Sequence, residues 1–247
     1  MGAFSGLEVR LVPLTDYTFD DAGILRQIDD HTKVIFVCNP NNPTGTYWGR
    51  DKLVRFLERV AGRCLVVLDE AYCEYVEHVD YPDGLTLIEQ YPNLIVFRTF
   101  SKMYALAGLR IGYLVGALEA VELIRRVHVA YSVNRLAQAG AQAAILGGEE
   151  HIRATRLLIQ DGKCLLKQGL AELGLTHLCG AGNYVMIQVP VGDSLLYRRL
   201  MRRGLMVRTM TGFRFPNWIR VTIVEREILQ QFLDGLAAEL RELEEGT

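Results

Sequence analysis

The sequence predicts an α/β fold: a large domain on a mostly parallel sheet, then a smaller C-terminal α+β domain. Short apolar runs alternate with amphipathic stretches through the first half, and polar residues suited to chemistry stand directly after three of those runs. In the second half a long uninterrupted helical pattern gives way to mixed strands and helices. The expected division is residues 1–147 for the large domain and 148–247 for a bridging helix with the small domain.

Taken in order, the strand candidates of the first half are Glu8 to Leu14, Val34 to Cys38, Cys64 to Leu68, Leu94 to Phe97 and Ile111 to Val115. Helices are expected between them over Asp20 to Ile28, Arg50 to Val60 and Leu85 to Gln90. Helical spacing then runs from Ala117 to Val127, from Leu136 to Leu146, and from Glu149 to Leu173, interrupted in that last stretch only by Gly162 and Gly169. A strand (Tyr184 to Val189), a helix (Ser194 to Arg203), two short strands (Leu205 to Arg208 and Ile219 to Ile223) and a closing helix from Glu225 complete the chain. The acidic tail Glu242 to Thr247 is expected to fray. There is no internal repeat and no low-complexity linker.

Composition excludes several classes of function. A net charge of -2 supplies no basic field for nucleic acid. The longest apolar runs are strand-sized, well short of the roughly 18–20 residues of a membrane span. The first residues have neither the cationic start nor the apolar core of a signal peptide, so a soluble, cytoplasmic protein is expected. Five cysteines, none in a Cys-x-x-Cys pair, read as buried reduced thiols, and no metal site is expected.

In open parallel sheets ligands gather at the carboxyl ends of the strands, which directs attention to three segments. In Thr99-Phe100-Ser101-Lys102, a lysine just beyond a buried strand is expected to be partly desolvated, which favours the nucleophilic amine and Schiff-base chemistry. Thr99 and Ser101 add hydroxyls, and Arg110, eight residues beyond Lys102, adds a donor fork suited to phosphate. Asp69 ends the most apolar strand, where a buried carboxylate needs a cation such as a protonated pyridine nitrogen, and Tyr72 follows three residues later. Asn39-Pro40-Asn41-Asn42-Pro43-Thr44-Gly45 makes a rigid turn after the Val34 to Cys38 strand and presets the Asn42 side chain. Plainer roles compete with each: a surface lysine, a helix-capping Asp69 with a packed Tyr72, and an ordinary turn.

Asn-Pro-x-Asn-Pro-Thr-Gly, then Asp-Glu-Ala-Tyr, then Ser-Lys with arginine eight residues on, in this order, resemble the fold type I pyridoxal-phosphate aminotransferases of class I and II. The likeness is closest to the histidinol-phosphate aminotransferases and runs from Leu7 to the end. It implies an aspartate aminotransferase-like fold and pyridoxal 5'-phosphate as cofactor. Lys102 would be the lysine bonded to the cofactor and the proton shuttle, Asp69 the partner of the pyridine nitrogen, and Tyr72 and Asn42 the partners of the phenolic oxygen. Thr99, Ser101 and Arg110 would hold the phosphate. In the second half Arg220 matches the arginine that clamps a substrate α-carboxylate, Asn183 a position beside it, and Arg208 the arginine near a substrate phosphate. Arg220 as a strand-edge ion pair is the plain alternative. Arg214 stands where a small residue is more usual.

The reaction implied is transamination between histidinol phosphate and 2-oxoglutarate, within a homodimer. Aromatic amino-acid aminotransferases and phosphothreonine decarboxylases share most of this framework and stay open. The resemblance also implies that the family's fold begins before the residue matching Met1, by about the size of a small domain. A glycine turn for the phosphate, a ring-stacking aromatic residue and an N-terminal arm would then be missing. A truncated chain without independent activity is therefore the second reading.

Overall fold

The computed structural model describes residues 6–245. The chain divides into two compact units. One comprises the residues up to Asn41 with Thr46–Ala139, the other Asn42–Gly45 with Gly140 onward.

The first unit begins with a small hairpin, β1 (Leu14–Thr15) against β2 (Thr18–Phe19). The expected Glu8 to Leu14 strand is absent except for its last residue. Leu7, Val9 and Leu11 are exposed, and the extended run ends at a turn through Asp16 and Tyr17, both at positive φ. Asp20 starts α1 (Asp21–Arg26) by accepting from the Gly23 N–H at 2.9 Å. There follow β3 (Val34–Cys38), α2 (Arg50–Val60), β4 (Leu65–Asp69), β5 (Leu94–Thr99), β6 (Gly112–Gly116) and α3 (Leu118–Arg125), while α4 (Arg135–Gly147) begins in this unit and runs on into the second. The Leu85 to Gln90 helix is replaced by a 3-10 turn over Gly84–Leu87. That segment is too short to repay helix nucleation, and Asp83 closes the turn by accepting from the Leu85 N–H at 3.0 Å.

The sheet order is β3-β4-β5-β6, with β3, β4 and β5 parallel and β6 antiparallel. Cys38 pairs with Asp69 and Asp69 with Phe97, so the register aligns the strands' carboxyl ends. Leu53, Phe56, Leu57 and Val60 recur at helical spacing on α2 and bury their side chains with Val37, Val66, Leu68, Leu94 and Val96. This burial, at about 25 cal/mol per Å² of apolar surface, fixes the sheet that carries the site. On the other face of β3, Val34 and Phe36 are exposed.

In the second unit α5 (Glu149–Glu172) leads to an antiparallel sheet of order β7-β8-β10-β9. The sheet is built from β7 (His177–Leu178), β8 (Tyr184–Gln188), β9 (Arg208–Thr209) and β10 (Trp218–Thr222), with α6 (Asp193–Arg202) and α7 (Arg226–Glu245) beside it. The two glycines of α5 serve packing: a Cβ at Gly162 would lie 2.4 Å from Ile223 Cγ2, and one at Gly169 2.5 Å from Leu233 Cδ1. The strand expected at Leu205 starts only at Arg208, because Gly204 (φ +79°) turns the chain and the Leu205 N–H is spent on the Leu200 carbonyl that ends α6. The expected fraying from Glu242 is also absent over the described residues. Helix α7 continues to Glu245, and Glu242 accepts at 2.6 Å from both Arg199 and Arg203. Residues 246–247 lie outside the described residues. No helix among the described residues is long and apolar enough to cross a membrane.

Candidate active site

Asp69 is the last residue of β4 and Thr99 the last of β5, so the parallel register brings the Asp69 and Thr99–Lys102 segments to one end of the sheet. Asp69 is half-buried and accepts from the Ala71 N–H at 3.0 Å. Burial raises its pKa above the ordinary carboxylate value, while the Ala71 N–H and the charge of Lys102 pull the other way. Tyr72 is buried, and the Lys102 Nζ stands 5.3 Å from its ring centroid, within cation–π range. Of the plainer roles, packing holds for Tyr72, while Asp69 closes a turn after β4 and does not cap the 3-10 turn Cys73–Tyr75, which has no side-chain cap.

Lys102 itself is exposed, which corrects the expectation of a desolvated amine. The apolar strand stops at Thr99, and in the turn beyond it Phe100 and Met103 point inward while Lys102 points out. Thr99 Oγ1 accepts from the Ser101 N–H at 3.1 Å, and Arg110 Nη1 lies 3.5 Å from Ser101 Oγ. Arg110 has left-handed backbone geometry (φ +55°), and its guanidinium also donates to the Ala107 carbonyl at 2.9 Å. Two hydroxyls and a guanidinium are therefore gathered beside Lys102. The expectation of buried cysteines is met only in part. All five are free thiols, with Cys73 buried, Cys38, Cys64 and Cys179 half-buried and Cys164 exposed. Burial, with the Asp69 charge, pushes the Cys38 thiol up to about 12.

The turn after β3 is held by Asn39, whose buried amide accepts from the Trp48 N–H at 2.6 Å and donates to the Trp48 carbonyl at 3.1 Å. The side chain acts as one more strand residue and closes the loop. The loop's tip, Asn42–Gly45, belongs to the second unit. There the Gly45 carbonyl accepts from the Ala181 N–H at 2.7 Å. A Cβ on Gly45 would lie 2.8 Å from Gly180 Cα, so the two glycines let the backbones touch.

In the same unit Arg220, at the centre of β10, donates to Asn42 Oδ1 and lies 4.8 Å from the Tyr184 ring centroid. Arg208 on β9 is its register partner. Two like charges directly opposite on adjacent strands are unfavourable by themselves. Asn183 precedes β8, and its carbonyl accepts from the Ile223 N–H at 2.9 Å. Arg214 is exposed at φ +65°.

The family model of "Aminotransferase class I and II" matches residues 3–236. The chain belongs to the class I and II aminotransferases. Among relatives, "Histidinol-phosphate aminotransferase 2" of Pseudomonas fluorescens (strain Pf-5) is 40% identical over 94% of this chain. The protein of the same name from Pseudomonas aeruginosa is 41% identical over 94%. The chain spans 62% of the length of each of these relatives. The solved histidinol-phosphate aminotransferase of Sinorhizobium meliloti, in complex with pyridoxal-5'-phosphate, superposes with a TM-score of 0.87 at 28% identity, covering 96% of this chain and 66% of that one. A Thermus thermophilus aspartate aminotransferase mutant gives 0.77 at 25% identity over 89% of this chain and 63% of its own. The fold is thus aspartate aminotransferase-like, as the motif order implies.

The same end of the sheet also carries residues that the motifs did not single out. Glu70, inside Asp-Glu-Ala-Tyr, is fully buried and paired with Arg98. Each stands next to a candidate ligand, and a charge beside a strand end was the available signal. Asn39 was legible only as a turn residue, since its partner Trp48 lies nine positions on.

Proposed function

We propose that the chain carries the machinery of a pyridoxal 5'-phosphate-dependent aminotransferase that acts on histidinol phosphate with 2-oxoglutarate as the amino acceptor. The carrying observation is that Asp69, Tyr72, Thr99, Ser101, Lys102 and Arg110 gather at the carboxyl ends of adjoining parallel strands. The donor set fits the cofactor. Asp69 is a half-buried carboxylate suited to a pyridinium, and Thr99, Ser101 and Arg110 are a hydroxyl and guanidinium set suited to a phosphate dianion. Tyr72 and Asn42 are assigned to the phenolic oxygen.

When bound, the cofactor supplies an electron sink for the pair left at the substrate Cα. Lys102 would hold the cofactor through its amine and, once that amine is free, would take and return the substrate Cα proton. That amine stands exposed, with its Nζ 5.3 Å from the Tyr72 ring centroid. Arg220 orients the substrate through a bidentate grip on the α-carboxylate, with its own direction set by Asn42 and Tyr184. Arg208 and Asn183 are assigned beside it, Arg208 toward the substrate phosphate.

The choice of histidinol phosphate is supported by the two Pseudomonas relatives at 40% and 41% identity. Residues 1–147 are read as the cofactor domain and 148–247 as bridging helix and small domain, in a cytoplasmic homodimer. The test is to mix the purified chain with pyridoxal phosphate and look for a visible absorption band that Lys102→Ala abolishes, then to offer histidinol phosphate, an aromatic amino acid and phosphothreonine. No band at saturating cofactor sinks independent function of this chain. Preference for either other donor sinks the substrate assignment alone.

A further inference from the structure

The Glu70–Arg98 pair is a buried charge pair that the reaction does not use, and its position is informative. Glu70 directly follows Asp69, and Arg98 directly precedes Thr99. Successive side chains of an extended segment point to opposite faces, so the pair clasps β4 and β5 on the face away from Asp69 and Thr99. Four hydrogen bonds hold the clasp. Arg98 Nε and Nη2 donate to Glu70 Oε2 at 2.9 and 2.7 Å, Nη2 also donates to Asp83 Oδ1 at 2.7 Å, and the Gly84 N–H donates to Glu70 Oε1 at 2.9 Å. Glu70 is fully buried, and the Arg98 side chain is only 15% exposed.

The backbone ladder ends at this level. The last bond between the two strands runs from the Glu70 N–H to the Phe97 carbonyl at 2.9 Å. Beyond it, the Asp69 carboxylate accepts a turn bond from the Ala71 N–H, while Thr99 Oγ1 accepts from the Ser101 N–H and donates to the Ile111 carbonyl at 3.4 Å; none of these bonds joins β4 to β5. Apolar residues at positions 70 and 98 would fill the space as well, since a buried ion pair adds little stability over packed isosteres. A charged fork differs by fixing direction at both strand ends at once, and a shift of about 1 Å at a positioned group is costly to catalysis.

We propose that Glu70 and Arg98 are positioning residues that hold Asp69 and Thr99 at the spacing their ligand requires. This rests on the reading of Asp69 and Thr99 as cofactor partners. The test uses the double variant Glu70→Met/Arg98→Met, which removes the charges together, and Arg98→Lys, which keeps a charge but loses the fork. In the cofactor-free chain, amide hydrogen exchange at Ala71 and Ser101 should quicken at least tenfold in the double variant, with Val67, Leu68 and Ile95 unchanged. With pyridoxal phosphate, the double variant should lose at least tenfold in affinity and shift the visible band, and Arg98→Lys should lose about half as much on a logarithmic scale. Unchanged exchange at Ala71 and Ser101 overturns the proposal, as does a uniform rise that includes the strand interiors. If the double variant does not fold, Arg98→Lys decides by the same two readouts. If the unaltered chain shows no band, the cofactor reading fails, and the exchange arm alone decides whether the clasp holds the two strand ends.

Discussion

Replacing Gly45 by alanine tests the close approach of the loop tip to the Gly180 segment, and Gly174→Ala in the same unit is its control. Both glycines have left-handed backbone, at φ +72° and +65°. That conformation costs an alanine about 1–2 kcal/mol, partly offset by the smaller entropy of the unfolded chain. At Gly174 an added Cβ meets nothing within 4 Å. Gly174→Ala is therefore expected to cost about 1 kcal/mol and nothing more. At Gly45 the same methyl lies 2.8 Å from Gly180 Cα and 3.1 Å from Gly180 C, which are backbone atoms that cannot swing aside. An overpacking cost of about 1–3 kcal/mol adds to the conformational one, for about 2–4 kcal/mol in all. The shift also loosens the 2.7 Å Ala181-to-Gly45 bond and moves Asn42, which orients Arg220. Urea unfolding of the two variants reads the stability difference, and the KM for the amino donor reads the displacement of Arg220. Equal midpoint shifts for the two variants would refute the claim that backbone contact, rather than φ alone, fixes glycine at position 45.

Other changes probe the remaining parts. Arg220→Ala should lower kcat/KM by on the order of 2–5 kcal/mol, at least about thirtyfold, while Arg214→Ala at an exposed turn costs far less; steady-state kinetics giving equal losses would mean the carboxylate grip lies elsewhere. Asp69→Asn keeps an acceptor for the Ala71 N–H and removes the charge, so titration of the visible band should show cofactor affinity weakened by more than about tenfold. In the second unit, burial raises Asp193 and Glu239, but hydrogen bonds from Thr211, Met210 and Ser194 outweigh it for Asp193, and those from Arg203 and Arg199 for Glu239, leaving both lowered. Their folded pKa values lie below the unfolded ones, so the stabilisation is present above the ordinary carboxylate pKa of about 4 and is lost as pH falls through the folded values. Acid titration followed by circular dichroism should show a low-pH loss that Glu239→Gln reduces, at a cost of about 1–3 kcal/mol near neutrality.

The elements with one dominant physical signal were the ones legible in the sequence. Helix α2 matches its expected bounds because four apolar residues at helical spacing all face one core. Strands β3, β4 and β5 fall within two residues of expectation, because continuous apolar runs suit a sheet buried by α2. The Glu8 to Leu14 run misled for the opposite reason: alternation describes a side chain's suitability for a strand, but a strand needs a partner for its backbone, and composition carries no information on pairing. The misplaced start at Leu205 has a local cause, because Gly204 closes the α6 cap and consumes the next N–H.

The candidate site divides along the same line. The segments that carry the candidates Asp69, Tyr72, Thr99, Ser101 and Lys102 were legible because they lie at or just past strand ends that the sequence marks, and Arg110 by its spacing from Lys102. The exposure of Lys102 was not, since desolvation depends on what covers a residue rather than on what precedes it. Nor was the Arg220–Asn42 bond, which joins positions 178 residues apart. That bond alters the meaning of the Asn-Pro turn: its preset asparagine orients the guanidinium through Oδ1, and the amide nitrogen is the part of the same side chain that can donate to a phenolic oxygen. An aspartate at position 42 would keep the acceptor and lose the donor. Asn42→Asp should therefore weaken cofactor affinity and shift the visible band, and should also raise donor KM because the added charge pairs with Arg220 and competes with a substrate carboxylate; an unchanged band and affinity would show that the amide nitrogen makes no cofactor contact.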